Sequence, residues 1–369
     1  MARILDRALQ YTWHEAVERG LREPGYCRIM VLGVGGAGNN TVSRLMESGI
    51  VGAECVAINT DMQHLNVTHA HQKILIGERT TRGLGAGGNP EIGRMAIEES
   101  RKRIENLLTN VDIAFVTAGM GGGTGTGAAP VVAEIARRKG AIVVGVVTMP
   151  FRIEKGRLEY AARGLTEMRR ECDTVIVVDN NKLMELVPQL PINEAFKVGD
   201  QVLANMVKGI SETISAPSLI NLDFADFRTI VRKGGVAIVG VGESDAPNRA
   251  EEAVLKALRT PLLDVDYSGA SGALIHVSGD SQMSIDEANR VGEIVTEMMS
   301  DDAMVIWGAR VNPNLSGMLR VTLVMTGVRS PHILSGFGTI APTLYDLDQY
   351  GEPEKPLNID LGLYQLENF

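Results

Sequence analysis

From residue 28 onward, short apolar runs alternate with segments in which hydrophobic residues recur at helical spacing. The apolar runs predict buried strands at 29–32, 55–59, 74–76, 111–118, 142–147 and 175–178. Between them the pattern predicts helices from residue 40, over 90–108 and within 155–171. Such alternation predicts a parallel, Rossmann-like sheet covered by helices on both faces.

The order of elements changes after this first region. A long apolar pattern over 193–214 predicts a buried central helix, and the residues from 221 onward predict a second, mixed α/β domain. In that domain we expect strands at 236–241 and 274–277, an antiparallel pair of strands at 304–311 and 320–328, and helices over 249–258 and from Ser284. The predicted division is a helical extension at 1–27, the first domain at 28–192, the central helix and its connection at 193–220, the second domain at 221–329 and an acidic tail at 330–369.

Composition narrows the possible functions. The net charge of −9, without a cluster of cationic side chains, argues against nucleic acid as a partner. No signal pattern precedes the first domain, and no apolar run is long enough to span a bilayer, so we expect a cytoplasmic protein without membrane insertion. The three cysteines match no metal or disulfide pattern, and the local group of His64, His69 and His71 is predicted to lie on the surface.

The glycine-rich segment 119–127 lies between a predicted strand and a predicted helix with Pro130 in its first turn. Without side chains, successive backbone N–H groups of such a turn can converge on an anion, and the following helix N-terminus adds further donors. Thr124 and Thr126 can add hydroxyl groups. The segment has no lysine, and the chain has no P-loop motif, so we predict a phosphate cradle of another kind rather than a flexible linker.

A second glycine turn, 33–40, matches the G-x-G-x-x-G pattern, and Asp61 follows at the distance of the dinucleotide fingerprint. This match alone would indicate an oxidoreductase that binds NAD or FAD. Further glycine loops at 83–88 and 119–127 favour a polyphosphate instead, because a dinucleotide site uses one principal cradle. The oxidoreductase remains the alternative.

Phe196 and Asp200 are four residues apart on the predicted central helix and therefore share one face. An aromatic ring can stack on a base, and an ionised carboxylate can accept hydrogen bonds from the ring N–H and the amino group of guanine. These residues predict guanine as the base. The alternative is a solvated aspartate beside a core phenylalanine.

Two motifs of the sequence resemble those of the FtsZ family, the prokaryotic relatives of tubulin. The resemblance is to archaeal members of this family. The segment 121–127 is similar to the family's phosphate-binding signature, and Asn-Leu-Asp-Phe-Ala-Asp at 221–226 is similar to its synergy loop. The similarity extends over about 28–328 and leaves the two ends outside. It implies a GTPase that binds GTP or GDP together with Mg²⁺. The resemblance does not assign the residues that bind the Mg²⁺ ion.

The resemblance also implies the residues of the nucleotide site. The phosphates would contact the turns of the first domain, and the ribose and base would contact Glu154, Arg157 and Asn180 together with Phe196 and Asp200. In this chain Arg157 follows the glutamate by three residues, whereas the family usually has four. The implied phosphate contacts are Gly35, Gly36, Gly38, Asn39, Gly85, Ala86, Gly87, Gly121, Gly122, Gly123, Thr124, Gly125, Thr126 and Gly127. Ala37 and Asp61 are further expected nucleotide-binding residues.

Asn221, Asp223 and Asp226 are the implied catalytic residues. By the resemblance, they reach the nucleotide of an adjacent subunit, so that hydrolysis requires head-to-tail assembly into the filaments of a division ring. If the segment is helical, the two aspartates share a face, and the simpler alternative is that they cap a helix. The tail is expected to bind membrane-tethering or division proteins. A nucleotide-binding regulator that neither polymerises nor hydrolyses stays a further alternative.

Overall fold

The computed structural model describes residues 27–50, 52–182, 189, 191–215, 224–232, 236–259, 266–312 and 315–328. The predicted extension, apart from Cys27, and the predicted tail therefore lie outside the described residues. In the part of the chain that is described, no helix has the length and hydropathy needed to cross a bilayer.

Ten strands form one continuous sheet in the order β3-β2-β1-β4-β5-β6-β7-β10-β8-β9. The first seven in this order are parallel to one another, and β10 runs antiparallel to both β7 and β8. The strands are β1 (Ile29–Val34), β2 (Ala53–Asn59), β3 (Gln72–Leu75), β4 (Ile113–Gly119), β5 (Ile142–Met149), β6 (Thr174–Asp179), β7 (Val236–Ser244), β8 (Gly272–Gly279), β9 (Met304–Val311) and β10 (Leu319–Val328).

Helices cover both faces of this sheet, as its apolar strands require. The helices are α1 (Gly35–Glu47), α2 (Met62–Val67), α3 (Glu78–Thr81), α4 (Pro90–Glu99), α5 (Arg101–Leu107), α6 (Thr124–Arg138), α7 (Lys155–Glu171), α8 (Ile192–Ser215), α9 (Phe224–Arg232), α10 (Arg249–Arg259) and α11 (Ile285–Thr296). Buried residues of α4 to α7, α10 and α11 pack on one face, and those of α1, α8 and α9 pack on the other.

The predicted α/β class, the central helix and the mixed second half are confirmed. The central helix α8 buries Leu203, Ala204, Val207 and Ile210 in a core that includes strands from both halves. The two halves share the sheet, because β6 pairs with β7 at Val175–Val236 and Ile176–Ala237. The exact domain boundaries stay a prediction.

The predicted antiparallel pairing of 304–311 with 320–328 is wrong. β9 pairs in parallel with β8, and β10 lies between β7 and β8. The burial of the two strands explains this order. β10 is almost entirely buried and suits the sheet interior, whereas β9 is half-exposed along much of its length and forms the edge.

Three helix predictions also need correction. α1 begins at Gly35 rather than at residue 40, and the helix predicted over 90–108 is two helices that meet at Ser100. α6 begins at Thr124, so Pro130 lies in its interior and cannot donate a hydrogen bond to the carbonyl of Thr126. The second half of the glycine segment is thus the first turn of a helix.

Candidate nucleotide-binding site

The carboxyl ends of β1, β2 and β4 surround an open cleft of about 410 Å³. Carboxyl ends of parallel strands are the usual position of ligands in open α/β sheets. The turns that follow these strands, the loop between α3 and α4, and one residue of α7 supply its walls. The cleft is lined by Gly36, Asn59, Thr60, Asp61, His64, Gly85, Gly88, Gly122, Gly123, Thr124 and Arg157.

The turn from β4 to α6 forms one wall. Gly121 has φ +92° and donates its N–H to Thr126 Oγ1 at 2.9 Å, which folds the loop back on the helix. A Cβ on Gly122 would meet open space. The N-terminus of α6 has no side-chain cap and no acidic residue in its first turn. The first N–H groups of a helix have no intrahelical acceptor, so those of α6 can donate to a ligand. This wall can bind an anion.

The glycines of this segment have different roles. A Cβ on Gly125 would lie 2.6 Å from the Gly119 carbonyl oxygen, and one on Gly127 would lie 1.9 Å from that of Pro90. Both residues are buried. They allow α6 to approach its neighbours closely, while Gly122, Gly123 and Thr124 line the cleft.

The turn from β1 to α1 forms a second wall. Gly35 has φ +74°, and a Cβ there would lie 2.8 Å from the Gly125 nitrogen, so the two glycine turns pack together. Gly36 is exposed to the cleft, and Ala37 is partly exposed next to it. Gly38 is buried, and a Cβ there would lie 2.3 Å from the carbonyl oxygen of Thr117. α1 also has no side-chain cap.

Asn39 and Asn59 connect this turn to the end of β2. Both are buried. In the amide orientation that satisfies both residues, Asn39 donates to the Gly33 carbonyl at 2.8 Å and accepts from Asn59 Nδ2 at 3.0 Å. Asn39 therefore fixes the turn from inside.

The third wall is the loop that precedes α4. Gly83, Gly85, Gly87 and Gly88 all have positive φ. The loop is held by the Gly85 N–H, which donates to the Thr60 carbonyl at 3.2 Å. Gly85 and Gly88 line the cleft, Ala86 is buried, and Gly87 is exposed beside it.

The opposite side carries Glu154 and Arg157 at the start of α7. Glu154 Oε2 accepts from Arg157 Nη1 at 2.5 Å, and its Oε1 accepts the Phe151 N–H. Arg157 lines the cleft although it follows the glutamate by only three residues. Asn180 directly follows β6 and is partly buried. The side chain of Phe196 lies outside the described residues.

Asp200 lies on α8, the helix that packs against α1. Burial raises the pKa of its carboxyl to about 7, although the nearby Arg44 on α1 favours the charged form. An acid whose charge is poorly solvated gains from a partner that donates hydrogen bonds.

Asp226 is partly exposed in the first turn of α9, whereas Asn221 and Asp223 lie outside the described residues. α9 packs where β8 begins and β10 ends, because Ile230 lies beside Gly272 and accepts from Thr326 Oγ1 at 3.3 Å. β8 runs in the same direction as the parallel strands, so its amino end is at the sheet edge opposite the cleft. The cleft therefore lies at the carboxyl ends of the parallel strands, and Asp226 lies near their amino ends.

Sequence reasoning missed Asn59, Thr60, His64 and Gly88 as residues of the site. Thr60 is buried, and its Oγ1 lies 2.6 Å from that of Thr124, which joins two walls. His64 is partly exposed and lines the open cleft, a position that the predicted surface location did not specify. Its position in the first turn of α2, the helix that follows β2, is the available signal.

The fold and this cleft define an α/β protein with an anion-binding site built from three glycine turns. The sequence matches the profile of the Tubulin/FtsZ family GTPase domain over residues 28–188 and that of the FtsZ family C-terminal domain over residues 235–329.

Individual proteins agree with these profiles. "Cell division protein FtsZ 2" of Methanocaldococcus jannaschii is 58% identical over 85% of this chain and 83% of its own length. A solved M. jannaschii FtsZ dimer without ligand has a TM-score of 0.78 at 50% identity, over 85% of this chain and 91% of that one. CetZ2 of Haloferax volcanii, solved as a GTPγS-bound protofilament, has a TM-score of 0.72 at 26% identity, over 84% and 96%.

The chain belongs to the FtsZ family and is a cell-division GTPase of that family. Its relatives at high identity are archaeal, as the sequence predicts. The oxidoreductase and the non-polymerising regulator are not supported, since the glycine turns lie within a GTPase profile and the structural neighbours include a dimer and a protofilament.

Proposed function

We propose that the chain hydrolyses GTP in a site completed by two subunits of a head-to-tail filament. The observation that carries this proposal is the separation of the cleft from Asp226. They lie at opposite edges of the sheet and are connected by α8, whose 24 residues span about 36 Å. One chain cannot bring both to the same phosphate. A second copy, stacked along the axis of α8, can.

In this filament the first subunit binds the nucleotide. The uncapped N-termini of α1 and α6 donate to phosphate oxygens, Arg157 faces the ribose, and Asp200 and Phe196 read guanine. The second subunit supplies Asp226, with Asn221 and Asp223, to position the attacking water. Because the cleft has no lysine among its lining residues, we expect slow turnover.

Mg²⁺ fits the cleft as an ion held chiefly by phosphate oxygens and water. The described residues contain no cluster of three or more acidic, histidine or cysteine side chains suited to a metal. Mg²⁺ commonly needs only one or two carboxylates beside a nucleotide, and Asp61 on the cleft wall is the candidate. The ion would neutralise phosphate charge.

The same function places the protein in the cytoplasm at the division site, without direct insertion into the membrane and without nucleic acid. The acidic tail, 330–369, would bind membrane-tethering or division proteins. These assignments rest on the family and on the composition of the tail.

Mixing two defective variants tests the shared site. Asp226→Ala keeps its cleft but lacks the distant carboxylate, and Gly122→Asp keeps Asp226 but carries a negative charge in the cleft. Each alone should hydrolyse GTP slowly. When mixed at fixed total protein, Asp226 of one variant completes the loaded cleft of the other, so phosphate release should exceed the straight line between the two single rates.

A control variant, Asp245→Ala, removes a carboxylate from the exposed loop after β7 and should not slow hydrolysis. Sedimentation must show that the two variants assemble together. A linear dependence on the mixing ratio in coassembled filaments would refute the shared site.

A further inference from the structure

His64 is the imidazole at the cleft. It lies in the first turn of α2, where its backbone N–H donates to Asp61 Oδ1 at 3.1 Å. Its Nε2 points toward the start of α1, 4.0 Å from the position that a Cβ on Gly36 would occupy. The ring is therefore fixed by its backbone at one end and faces the ligand space at the other.

The neighbouring Asn59 has a defined amide orientation. Its Oδ1 accepts the backbone N–H groups of Thr60 at 2.9 Å and of Asp61 at 3.3 Å. An acceptor of two N–H groups must be the carbonyl oxygen, so the amino group of Asn59 points the other way. There it lies 3.4 Å from His64 Nδ1 and 3.0 Å from Asn39 Oδ1.

This network selects the tautomer of His64. The Asn59 amino group can only donate, so Nδ1 of His64 must be the acceptor. A neutral imidazole that accepts at Nδ1 carries its hydrogen on Nε2. Asn59 thus orients His64 so that the Nε2–H group of His64 faces the cleft as a hydrogen-bond donor.

We propose that His64 Nε2–H donates a hydrogen bond to a phosphate oxygen of the bound nucleotide, beside the Gly36 turn. This inference deepens the proposed function and rests on its nucleotide site. Asp61, the lining carboxylate next to His64, already accepts the His64 backbone N–H. The first turn of α1 adds backbone donors at the same place, so an anion fits the space between His64 and the Gly36 turn.

Four variants test the donor in the full-length protein. At position 64, the amide oxygen of asparagine can replace Nδ1 as the acceptor for Asn59. The longer side chain of glutamine can place an amide N–H where the Nε2–H donor lies. His64→Ala and His64→Asn should weaken binding of GDP by about 10- to 100-fold, the usual effect of losing a hydrogen bond to a charged group. His64→Gln should stay within about threefold of the wild type. His69→Gln, an exposed histidine of the same segment, should have no effect.

A purely structural role predicts the reverse order, because asparagine would still satisfy Asn59 and glutamine would not. Binding of guanosine, which lacks phosphates, should be equal in the wild type and the alanine variant. Wild-type affinity in His64→Asn, or an equal loss for guanosine, would overturn the proposal.

The wild-type protein provides an independent test through two-bond ¹H–¹⁵N spectra of its imidazoles. We expect an unprotonated Nδ1 and a protonated Nε2 for His64, with the Nε2 resonance moving when GDP binds. The opposite tautomer would overturn the inference while GDP binding stays intact. A wild-type protein that binds no guanine nucleotide would instead overturn the proposed function as well.

Discussion

Helices α6 and α11 each follow a strand of the same sheet, but their first turns differ. The N-terminus of α6 has no side-chain cap and no acidic residue, and α1 is alike in both respects. α11 has a complete capping box, in which Ser284 and Glu287 bind each other's backbone N–H, and a further acid at Asp286. The helix ends that face the cleft leave donors for a ligand, while α11 satisfies its own.

Carboxylates show the same contrast. In the second half, hydrogen bonds lower the pKa of Asp280, chiefly from the Gly317 N–H, and that of Glu287, chiefly from Arg249. Burial raises the pKa of Asp200, next to the first half, to about 7. The charged form of the Asp200 carboxyl is therefore poorly solvated in the free protein, which favours a ligand that donates hydrogen bonds to it.

The largest expected effect comes from placing a charge where we expect phosphate. Gly122→Asp adds a carboxylate in open space at the cleft, and repulsion between charges about 4 Å apart should reduce the affinity for GTP by about 100-fold or more. Gly122→Ala, the matched neutral control, should change affinity by less than about threefold because its methyl group meets no neighbour. Calorimetric titration measures both.

Thermal unfolding without nucleotide should show that both variants are folded. Equal loss of affinity in the two variants would mean that the wall is sensitive to size rather than to charge. In that case the open helix end would not be the anion site.

The sequence predicts the strands and most helices because each is apolar on the buried face and bounded by turns. It misplaces β10, since the partners of a strand depend on which face each neighbour covers, and local patterns do not contain that information. The capping box at Ser284 was predictable because it lies within four consecutive residues.

The sequence predicts that the glycine-rich segment is a phosphate cradle, but it does not predict the role of each glycine. Gly122 and Gly127 are five positions apart in one motif, yet one faces the cleft and the other contacts α4. Only the packing of α6 distinguishes them. Asn59, which orients the His64 ring, is only five residues away, but the sequence pattern does not show that the helix after β2 turns this ring toward the cleft.

A smaller effect concerns the pH dependence of binding. The Asp200 carboxyl, whose pKa is about 7 in the free protein, must be ionised to accept the guanine donors. We expect full affinity for GTP above pH 8 and a decrease as the pH falls through 7, by at most about tenfold per pH unit. Asp200→Asn should bind more weakly and lose this dependence, and it isolates the effect from titration of the phosphates.

Without nucleotide, ionisation of Asp200 has the opposite effect, because it lowers the stability of the folded protein. A carboxyl whose pKa rises on folding disfavours the folded state as it ionises, so the wild type should lose stability relative to Asp200→Asn as the pH rises from about 4 to 7. Parallel stability curves for the two proteins would contradict the raised pKa of Asp200 in the folded protein.

The smallest effect is expected at the capped helix end. Ser284→Ala removes the hydroxyl that accepts the Glu287 N–H at 3.1 Å, and loss of such a cap typically costs about 1 kcal/mol of stability. The pair of Arg249 Nε with Glu287 Oε1, at 2.6 Å, remains, so the damage should stay local. The midpoint temperature of thermal unfolding should fall by about 2 °C. Ser284→Thr should restore this midpoint, and the affinity for GTP should not change in either variant. If the alanine variant also lost affinity for GTP, the two helix ends would be coupled, and the contrast between the capped end of α11 and the uncapped ends of α1 and α6 would fail.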